Sequence, residues 1–222
     1  MKTDNEIKND VLDQLMYQPN IDETKIGVIV ENGVVTLNGI VDSYTKKLAV
    51  EKAVKSVIGV KAIALDLEVK YGKEFIKTDA VIAKSATNTL AWNSILPEEK
   101  ISIKVEDGLV YLSGEVQWFY QKDAANKAVE NLLGVKGVIN TIQVKQKGRP
   151  TQITQKIRKA FERSADVDDK NITLLVENDY VRLTGSVRTF LEKEAAEKIA
   201  YFTPGVTNVK NELRVEYEPI YV

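Results

Sequence analysis

The 222-residue chain can hold one large domain or two to three small ones. It has 31 basic and 32 acidic residues and a formal net charge of −1, so its overall charge argues against a nucleic-acid partner. Cysteine and histidine are both absent, which excludes disulfides, thiolate nucleophiles, histidine-based catalytic triads and the usual zinc ligands. We therefore expect a non-enzymatic protein without a cofactor or a metal centre.

The hydropathy pattern predicts no targeting or membrane-spanning segment. The first residues, 1–6, are polar and no apolar run follows them, unlike a secretory signal. The apolar stretches are as long as strands and far shorter than the roughly 20 residues that a spanning helix needs. The sequence as it stands predicts a cytoplasmic protein, and a periplasmic one if a leader has been removed.

An internal repeat is the strongest signal in the sequence. Residues 4–70 align without a gap to 79–145 and to 150–216, and 14 of the 67 aligned positions carry the same residue in all three copies. We predict three modules, which we call module 1 (1–72), module 2 (73–147) and module 3 (148–222). The linkers, roughly 71–78 and 146–150, are short and are not Gly/Ser tethers, which favours packing between the copies.

Each module is predicted to begin with a helix, over about Asp4 to Tyr17 in module 1. Apolar residues recur there at helical spacing on one stripe. The three stripes are Ile7, Val11 and Leu15, then Ile82, Ala86 and Leu90, then Ile153, Ile157 and Phe161.

Two alternating strands joined by a tight turn follow the helix. The turn pairs Asn32-Gly33 and Asp107-Gly108 accept the positive φ angles of a type I′ hairpin, whereas Asn178-Asp179 is less suited to them. A glycine interrupts the apolar face of the second strand in every copy, at Gly39, Gly114 and Gly185. Such a glycine marks a close approach of another backbone, and we expect a helix that crosses the sheet there. A bound ligand in the same gap is the alternative.

A second helix, about Tyr44 to Val57, and a third strand complete each module. We expect the helix to bury Ala49, Ala53 and Val57, and their equivalents Ala124, Ala128, Leu132, Ala195, Ile199 and Phe202. A left-handed glycine cap should end it, at Gly59, Gly134 and Gly205. The third strand points Asn140 or Asn211 inward, and these amides need hydrogen-bond partners.

The predicted fold class is therefore α+β: three tandem αββαβ modules, each a three-stranded mixed sheet with two helices on one face. The opposite sheet face of module 1 is too apolar for open water, so we expect a neighbouring copy or a second chain to cover it. This outer face consists of Ile29, Val34, Ile40, Ala62 and Ala64.

The third strand and the turn before it resemble a known family. Residues 134–144 read Gly-Val-Lys-Gly-Val-Ile-Asn-Thr-Ile-Gln-Val, residues 205–215 follow the same pattern, and module 1 departs from it at Leu65. Together with the glycine-interrupted hairpin, the pattern is similar to the BON domain, named for bacterial osmotically inducible and nodulation proteins. The resemblance implies a non-catalytic, transport-associated module of osmotic and envelope stress. It also implies binding to phospholipid surfaces, and potassium binding in some cytoplasmic relatives.

Aromatic and basic residues of module 2 are the candidates for contact with lipid or a partner protein. Both tryptophans lie there, and Trp118 takes an N-cap position that tryptophan cannot serve. Packing at a joint between copies is the alternative for the tryptophans, and ordinary solvated side chains are the alternative for the lysines. The candidate residues are Trp92, Trp118, Tyr120, Lys122 and Lys127.

The sequence leaves three functions open. The first is a stress-associated protein that binds an anionic phospholipid surface or a protein partner. The second is a cytoplasmic protein that responds to potassium, the ion that the resemblance implies, with no motif that identifies its ligands. Acidic loops before the first strand, such as Asp22-Glu23 and Asp168-Asp169, are interpreted as solvated loops, with a weak cation site as the alternative. The third is a structural protein that forms homo-oligomers through the outer face of module 1.

Overall fold

The structure is a computed structural model, and residues 2–145 and 152–216 are described. Each module contains two helices and the strands of one sheet, in the predicted order. The elements of module 1 are α1 (Asp4–Met16), β1 (Ile26–Glu31), β2 (Val34–Val41), α2 (Tyr44–Lys55) and β3 (Ala62–Val69). Those of module 2 are α3 (Asp79–Ala91), β4 (Ile101–Glu106), β5 (Leu109–Val116), α4 (Phe119–Glu130), β6 (Gly137–Asn140) and β7 (Gln143–Val144). Those of module 3 are α5 (Ile153–Glu162), β8 (Ile172–Glu177), β9 (Tyr180–Val187), α6 (Phe190–Phe202) and β10 (Asn208–Val215).

The sheet has the same order in every module: the second strand lies in the centre, between the first and the third. β1, β4 and β8 pair antiparallel with their central strands, whereas β6 and β10 run parallel to theirs. The prediction of an α+β fold with three repeated modules is confirmed. Module 2 differs in one respect, since its third strand is split into β6 and β7, which both pair with β5.

The chain forms two compact units. The first contains Met1–Ile40, Leu48–Glu68 and Arg149–Val222, so it holds most of module 1 together with module 3. Within this unit the Lys55 ammonium pairs with Glu51 on its own helix and with Glu194 on α6. The second unit contains Val41–Lys47 and Val69–Gly148. There the Tyr71 hydroxyl donates a 2.6 Å hydrogen bond to the Val135 carbonyl. The linker at 146–150 lies outside the described residues.

The strand glycines have a different neighbour from the one predicted. A Cβ at Gly39 would lie 2.1 Å from the carbonyl oxygen of Lys25, and Gly114 and Gly185 meet the Lys100 and Asn171 carbonyls at 2.0 and 1.9 Å. The prediction of a crossing helix is wrong: the backbone that approaches is the residue before the first strand of the same sheet. The φ angles of the three glycines lie between +117° and +142°, which adds a second reason for glycine.

The second helix also differs in detail from the prediction. Ala53 and Val57 are buried as predicted, whereas Ala49 is only partly buried. The most buried residues of α2 are Val50 and Val54, and the equivalent positions of α4 and α6 are buried as well. Phe202, predicted to be buried, is 42% exposed. The glycines at 59, 134 and 205 do have positive φ, between +92° and +103°, but they lie in the turn three or four residues beyond the helix end.

The two inward asparagines are satisfied by the second helix and by their own strand. Asn140 donates to the Lys122 carbonyl at 3.0 Å and accepts from the Ile142 amide at 3.1 Å. Asn211 donates to the Lys193 carbonyl at 3.0 Å and accepts from the Leu213 amide at 3.2 Å. The expected partners therefore exist, and they tie the helix to the third strand.

A carboxylate at the start of the first helix holds the hairpin turn in modules 1 and 2. The backbone amides of Asn32 and Gly33 donate to Asp4 at 2.8 and 2.9 Å. Asp79 accepts from Asp107 and Gly108 at the same two distances. Both residues of each turn have positive φ, as a type I′ turn requires, whereas in module 3 only Asn178 does. Helix and hairpin are thus joined by charged hydrogen bonds.

Replacing Asp4 with alanine should destabilise module 1 by about 1–3 kcal/mol, because two turn amides lose a charged acceptor and the helix N-terminus loses a negative charge. The control is Asp13→Ala, which removes an exposed carboxylate near the C-terminal end of the same helix and should be neutral or slightly stabilising. Urea unfolding followed by circular dichroism measures both variants. Equal midpoints for the two variants would contradict the assigned role of Asp4.

Candidate functional site

A groove of about 380 Å³ lies on the helical side of module 3, between α5 and α6. Ala160, Ile199, Phe202 and Pro204 form its apolar surface. Three exposed cations border it: Lys156, Lys159 and Arg163. None of the three has an ion-pair partner in the part of the chain that the structure describes. The groove therefore joins unpaired positive charge to an open apolar surface. We call it the module 3 groove.

The amphipathic character of α5 explains how the groove arises. Ile153, Ile157 and Phe161 turn one side of this helix into the core, where each is at most 3% exposed. The remaining sides carry the basic residues into solvent. On the facing helix, Lys198 lies with its ammonium 5.5 Å from the centre of the Phe202 ring, so a fourth cation stands close to the apolar surface. No residue of this groove was among the predicted candidates.

The structure places the predicted aromatic candidates at one end of module 2. Trp92 is the C-cap of α3 and Trp118 the N-cap of α4. Gln121 connects the start of α4 to the loop that follows α3, since it accepts from the Trp118 amide at 3.0 Å and donates to the Ile95 carbonyl at 2.9 Å. Trp118 is half-buried and its side chain makes no capping hydrogen bond, as predicted. Tyr120, next to Gln121, is 41% exposed.

Trp92 does not pack at a joint between copies. Its side chain is 90% exposed, the largest exposure among the large hydrophobic residues described. The joint interpretation is therefore wrong for Trp92. In the second unit that role falls instead to Tyr71, through its bond to Val135, and to Tyr44, which packs against the core of module 2.

The two candidate lysines of module 2 have different surroundings. Lys127 is exposed and forms an ion pair with Asp123, one turn earlier, at 2.9 Å. Lys122 is half-buried, and burial lowers the pKa of its ammonium below the ordinary lysine value. The equivalent Lys193 of module 3 donates to the Leu213 carbonyl at 2.6 Å. On a helix, Trp118 and Lys122 share one side, and Tyr120 and Lys127 lie on nearly the opposite side, so the five candidates do not form a single patch.

The outer face of module 1 is open in the described structure. Ile29, Val34 and Ile40 are 49%, 39% and 44% exposed. Module 3, the copy in the same compact unit, therefore does not cover this face, and cover by a second chain stays a prediction. The other copies are more polar there, since Glu115 and Ser186 stand where module 1 has Ile40.

The acidic loops before the first strands are engaged in local contacts. Asp22 pairs with Lys25 at 2.7 Å, and Asp168 accepts from Arg188 at 3.1 Å. Within residues 2–145 and 152–216, no three acidic side chains come together in a group that could hold a metal ion. The acidic loops thus give the potassium hypothesis no ligand set.

The profile of the BON domain matches the chain three times, at residues 3–71, 78–146 and 150–217. The chain belongs to the BON domain family. The match covers nearly the full length and agrees with the αββαβ order of each module. BON domains are non-enzymatic modules, and no described helix of this BON protein is long and apolar enough to cross a bilayer.

Known relatives extend this assignment. The BON protein is 32% identical over 136 residues to "Osmotically-inducible protein Y" of Escherichia coli (strain K12), an alignment that covers 59% of this chain and 67% of the relative. It is thus related to an osmotically inducible protein. Among solved structures, two of CdsD, a structural protein of the type III secretion system of Chlamydia trachomatis, align with TM-scores of 0.26 and 0.24 and identities of 16% and 17%. These alignments cover 98% and 95% of this chain, and 100% and 92% of the CdsD chains.

Proposed function

We propose that this BON protein is a non-enzymatic, stress-associated protein that binds anionic phospholipid surfaces, and that the module 3 groove makes the principal contact. One observation carries the proposal: three cations without partners among the described residues border an exposed apolar surface that includes Phe202. This combination suits an anionic amphiphile, whose charged headgroup and apolar part need the two kinds of surface side by side.

The geometry of α5 supports a contact along a surface rather than with an enclosed ligand. Lys156, Lys159 and Arg163 recur every three or four residues, so they follow one side of the helix over about two turns, roughly 10 Å. Several headgroups of a bilayer can be reached from such a row at once. Each lysine or arginine near an anionic membrane contributes about 1 kcal/mol to binding.

Co-sedimentation with lipid vesicles tests this function. The protein should bind vesicles that contain phosphatidylglycerol and should bind pure phosphatidylcholine vesicles much more weakly. Raising the salt concentration from about 0.1 M to 1 M shortens the Debye length from about 10 Å to 3 Å and should release most of the protein. Equal binding to both lipids, or none to either, would exclude an anionic membrane as the target.

The outer face of module 1 favours a second candidate, a homo-oligomer formed by two copies of this face. Its aliphatic residues are exposed on one face of the sheet, and the sheet pairs described leave β1 and β3 as its edges. Burying this surface against a second copy would remove apolar area from water at about 25 cal/mol per Å². Two identical faces related by a two-fold axis make such a contact self-complementary.

Substituting Ile40 with glutamate should weaken this self-association by at least about 100-fold, because an unpaired carboxylate would be buried at the contact. Multi-angle light scattering over a range of protein concentrations gives the measurement. The substitution is compatible with the fold, since Glu115 occupies the equivalent position in module 2. The matched control is Ser186→Glu, which adds the same charge to module 3. A wild-type protein that remains monomeric at all concentrations would refute the proposed contact.

A further inference from the structure

A second site, unlike the module 3 groove in its chemistry, lies at the C-terminal end of α3 in module 2. It is a shallow cleft of about 560 Å³ beside the exposed Trp92 indole. None of its lining side chains carries a charge: Asn88, Thr89, Trp92, Asn93 and Ser94. We call it the Trp92 cleft.

The same position is charged in the other two modules. Lys159 and Arg163 replace Asn88 and Trp92 in module 3, and Asp13 and Tyr17 replace them in module 1. The fold therefore does not require an indole or an uncharged lining at this helix end. Trp92 contributes almost nothing to the core, because only a tenth of its surface is covered. Module 1 keeps an exposed aromatic residue, Tyr17, but places it beside Asp13, so an indole with an uncharged lining occurs in module 2 alone. This combination needs an explanation outside the packing of the module.

Polar groups around the indole are available to a ligand. The Asn88 amide and the Ser94 hydroxyl are exposed and have no hydrogen-bond partner among the described residues. Asn93 uses its Oδ1 atom to accept from the Ile95 amide at 3.3 Å, which leaves its amide nitrogen for other partners. Asparagine side chains both donate and accept, as do hydroxyl groups. The cleft thus offers paired donors and acceptors next to a flat apolar surface.

We propose that the Trp92 cleft binds a neutral, β-1,4-linked oligosaccharide. The C–H face of a pyranose ring is apolar and stacks on an indole, while its equatorial hydroxyls both donate and accept hydrogen bonds, as amide and hydroxyl side chains do. Asn88 and Trp92 lie on one side of the helix and are separated by roughly 6 Å along its axis, about the length of one sugar ring. An extended β-1,4 chain is flat enough to follow such an open cleft.

The absence of charge distinguishes this ligand from a lipid headgroup. No lysine or arginine lines the cleft, and Lys84, the only basic residue of α3, is two turns away from Trp92. An anionic headgroup would find no counter-charge there, whereas a neutral sugar needs none. The proposal is independent of the membrane function assigned to the module 3 groove, because the two sites share no residue.

The two tryptophans allow a direct test. Phe replaces Trp118 in a background variant, so that all indole fluorescence comes from Trp92. Titration with the hexamers of β-1,4-linked N-acetylglucosamine and of β-1,4-linked glucose should shift and change the Trp92 emission for at least one of them. The Trp118→Phe variant must unfold at the same urea concentration as the wild type.

Substitutions taken from the other modules supply the controls. By isothermal titration calorimetry, Trp92→Arg should weaken sugar binding at least tenfold, the loss typical of removing an anchoring aromatic residue, while Trp92→Tyr should retain most of the affinity. Both variants should keep their binding to phosphatidylglycerol vesicles. The proposal is overturned if neither sugar binds, if Trp92→Arg binds as well as wild type, or if the Trp92 emission responds to vesicles and not to sugar.

Discussion

Replacing Gly39 with alanine should destabilise module 1 by about 3 kcal/mol or more, a large effect for a single added methyl group. The new Cβ would lie 2.1 Å from the Lys25 carbonyl oxygen, and both atoms belong to backbone that the β1–β2 pairing fixes. The φ angle of +142° is an additional cost for any residue with a side chain. To relieve this clash, β1 would have to move away from β2, which would break the hydrogen bonds between the two strands.

Gly27→Ala is the matched control, because it adds the same methyl group to the same hairpin. Its Cβ would meet the Oδ1 atom of Asn38, which lies at the end of a side chain that can rotate away. Ser102 and Thr173 occupy the equivalent positions, so the other modules accept a side chain there. Urea unfolding followed by far-ultraviolet circular dichroism compares the two variants. If both variants lost equal stability, the carbonyl contact would not be the reason for the glycine.

Removing the three cations of the module 3 groove should reduce binding to phosphatidylglycerol vesicles by about 100-fold. The variant combines Lys156→Ser, Lys159→Asn and Arg163→Gln, the first two taken from equivalent positions of module 2. The loss of about 1 kcal/mol per charge gives about 3 kcal/mol in total, which corresponds to this factor. Vesicle co-sedimentation at about 0.1 M salt measures it, and the residual binding should depend less on salt.

The control for this variant removes the same charge from the opposite side of module 3. Arg182, Lys210 and Arg214 lie on the outer face of its sheet, away from the helices. Their replacement by glutamine changes the net charge equally, so both variants alter the long-range attraction to the membrane to the same extent. A matching loss in the control would show that net charge, and not the groove, governs binding.

The fold followed from the sequence because three copies repeat one hydrophobic pattern. The first-helix stripes and the hairpin turns of modules 1 and 2 are as predicted. The backbone that approaches Gly39 was predicted wrongly. A glycine within a strand indicates that another backbone comes close, but the sequence does not show which segment it belongs to. On α2, Val50 is buried in place of the predicted Ala49, because both residues are apolar and only the packing decides which of them faces the sheet.

The module 3 groove was not predicted from the sequence, because charge was counted over whole modules. Module 3 has 12 basic and 12 acidic residues, so its total charge is balanced even though α5 is strongly basic. The helix with its cap carries Lys156, Arg158, Lys159 and Arg163 against the single acidic residue Glu162. Charge counted per helix, rather than per module, is the signal that would have found it. The exposure of Phe202 depends on how α5 and α6 pack together, and no pattern in the sequence predicts it.

The ion pair between Lys55 and Glu194 has a consequence for folding during translation. These residues are 139 positions apart, and a ribosome adds about 5–20 residues per second. Lys55 therefore emerges many seconds before its partner is synthesised, and closing a loop of this length carries an entropic cost that local pairing avoids. Each hairpin has all its partners within reach during translation, whereas the assembly of the first compact unit must wait for the last third of the polypeptide.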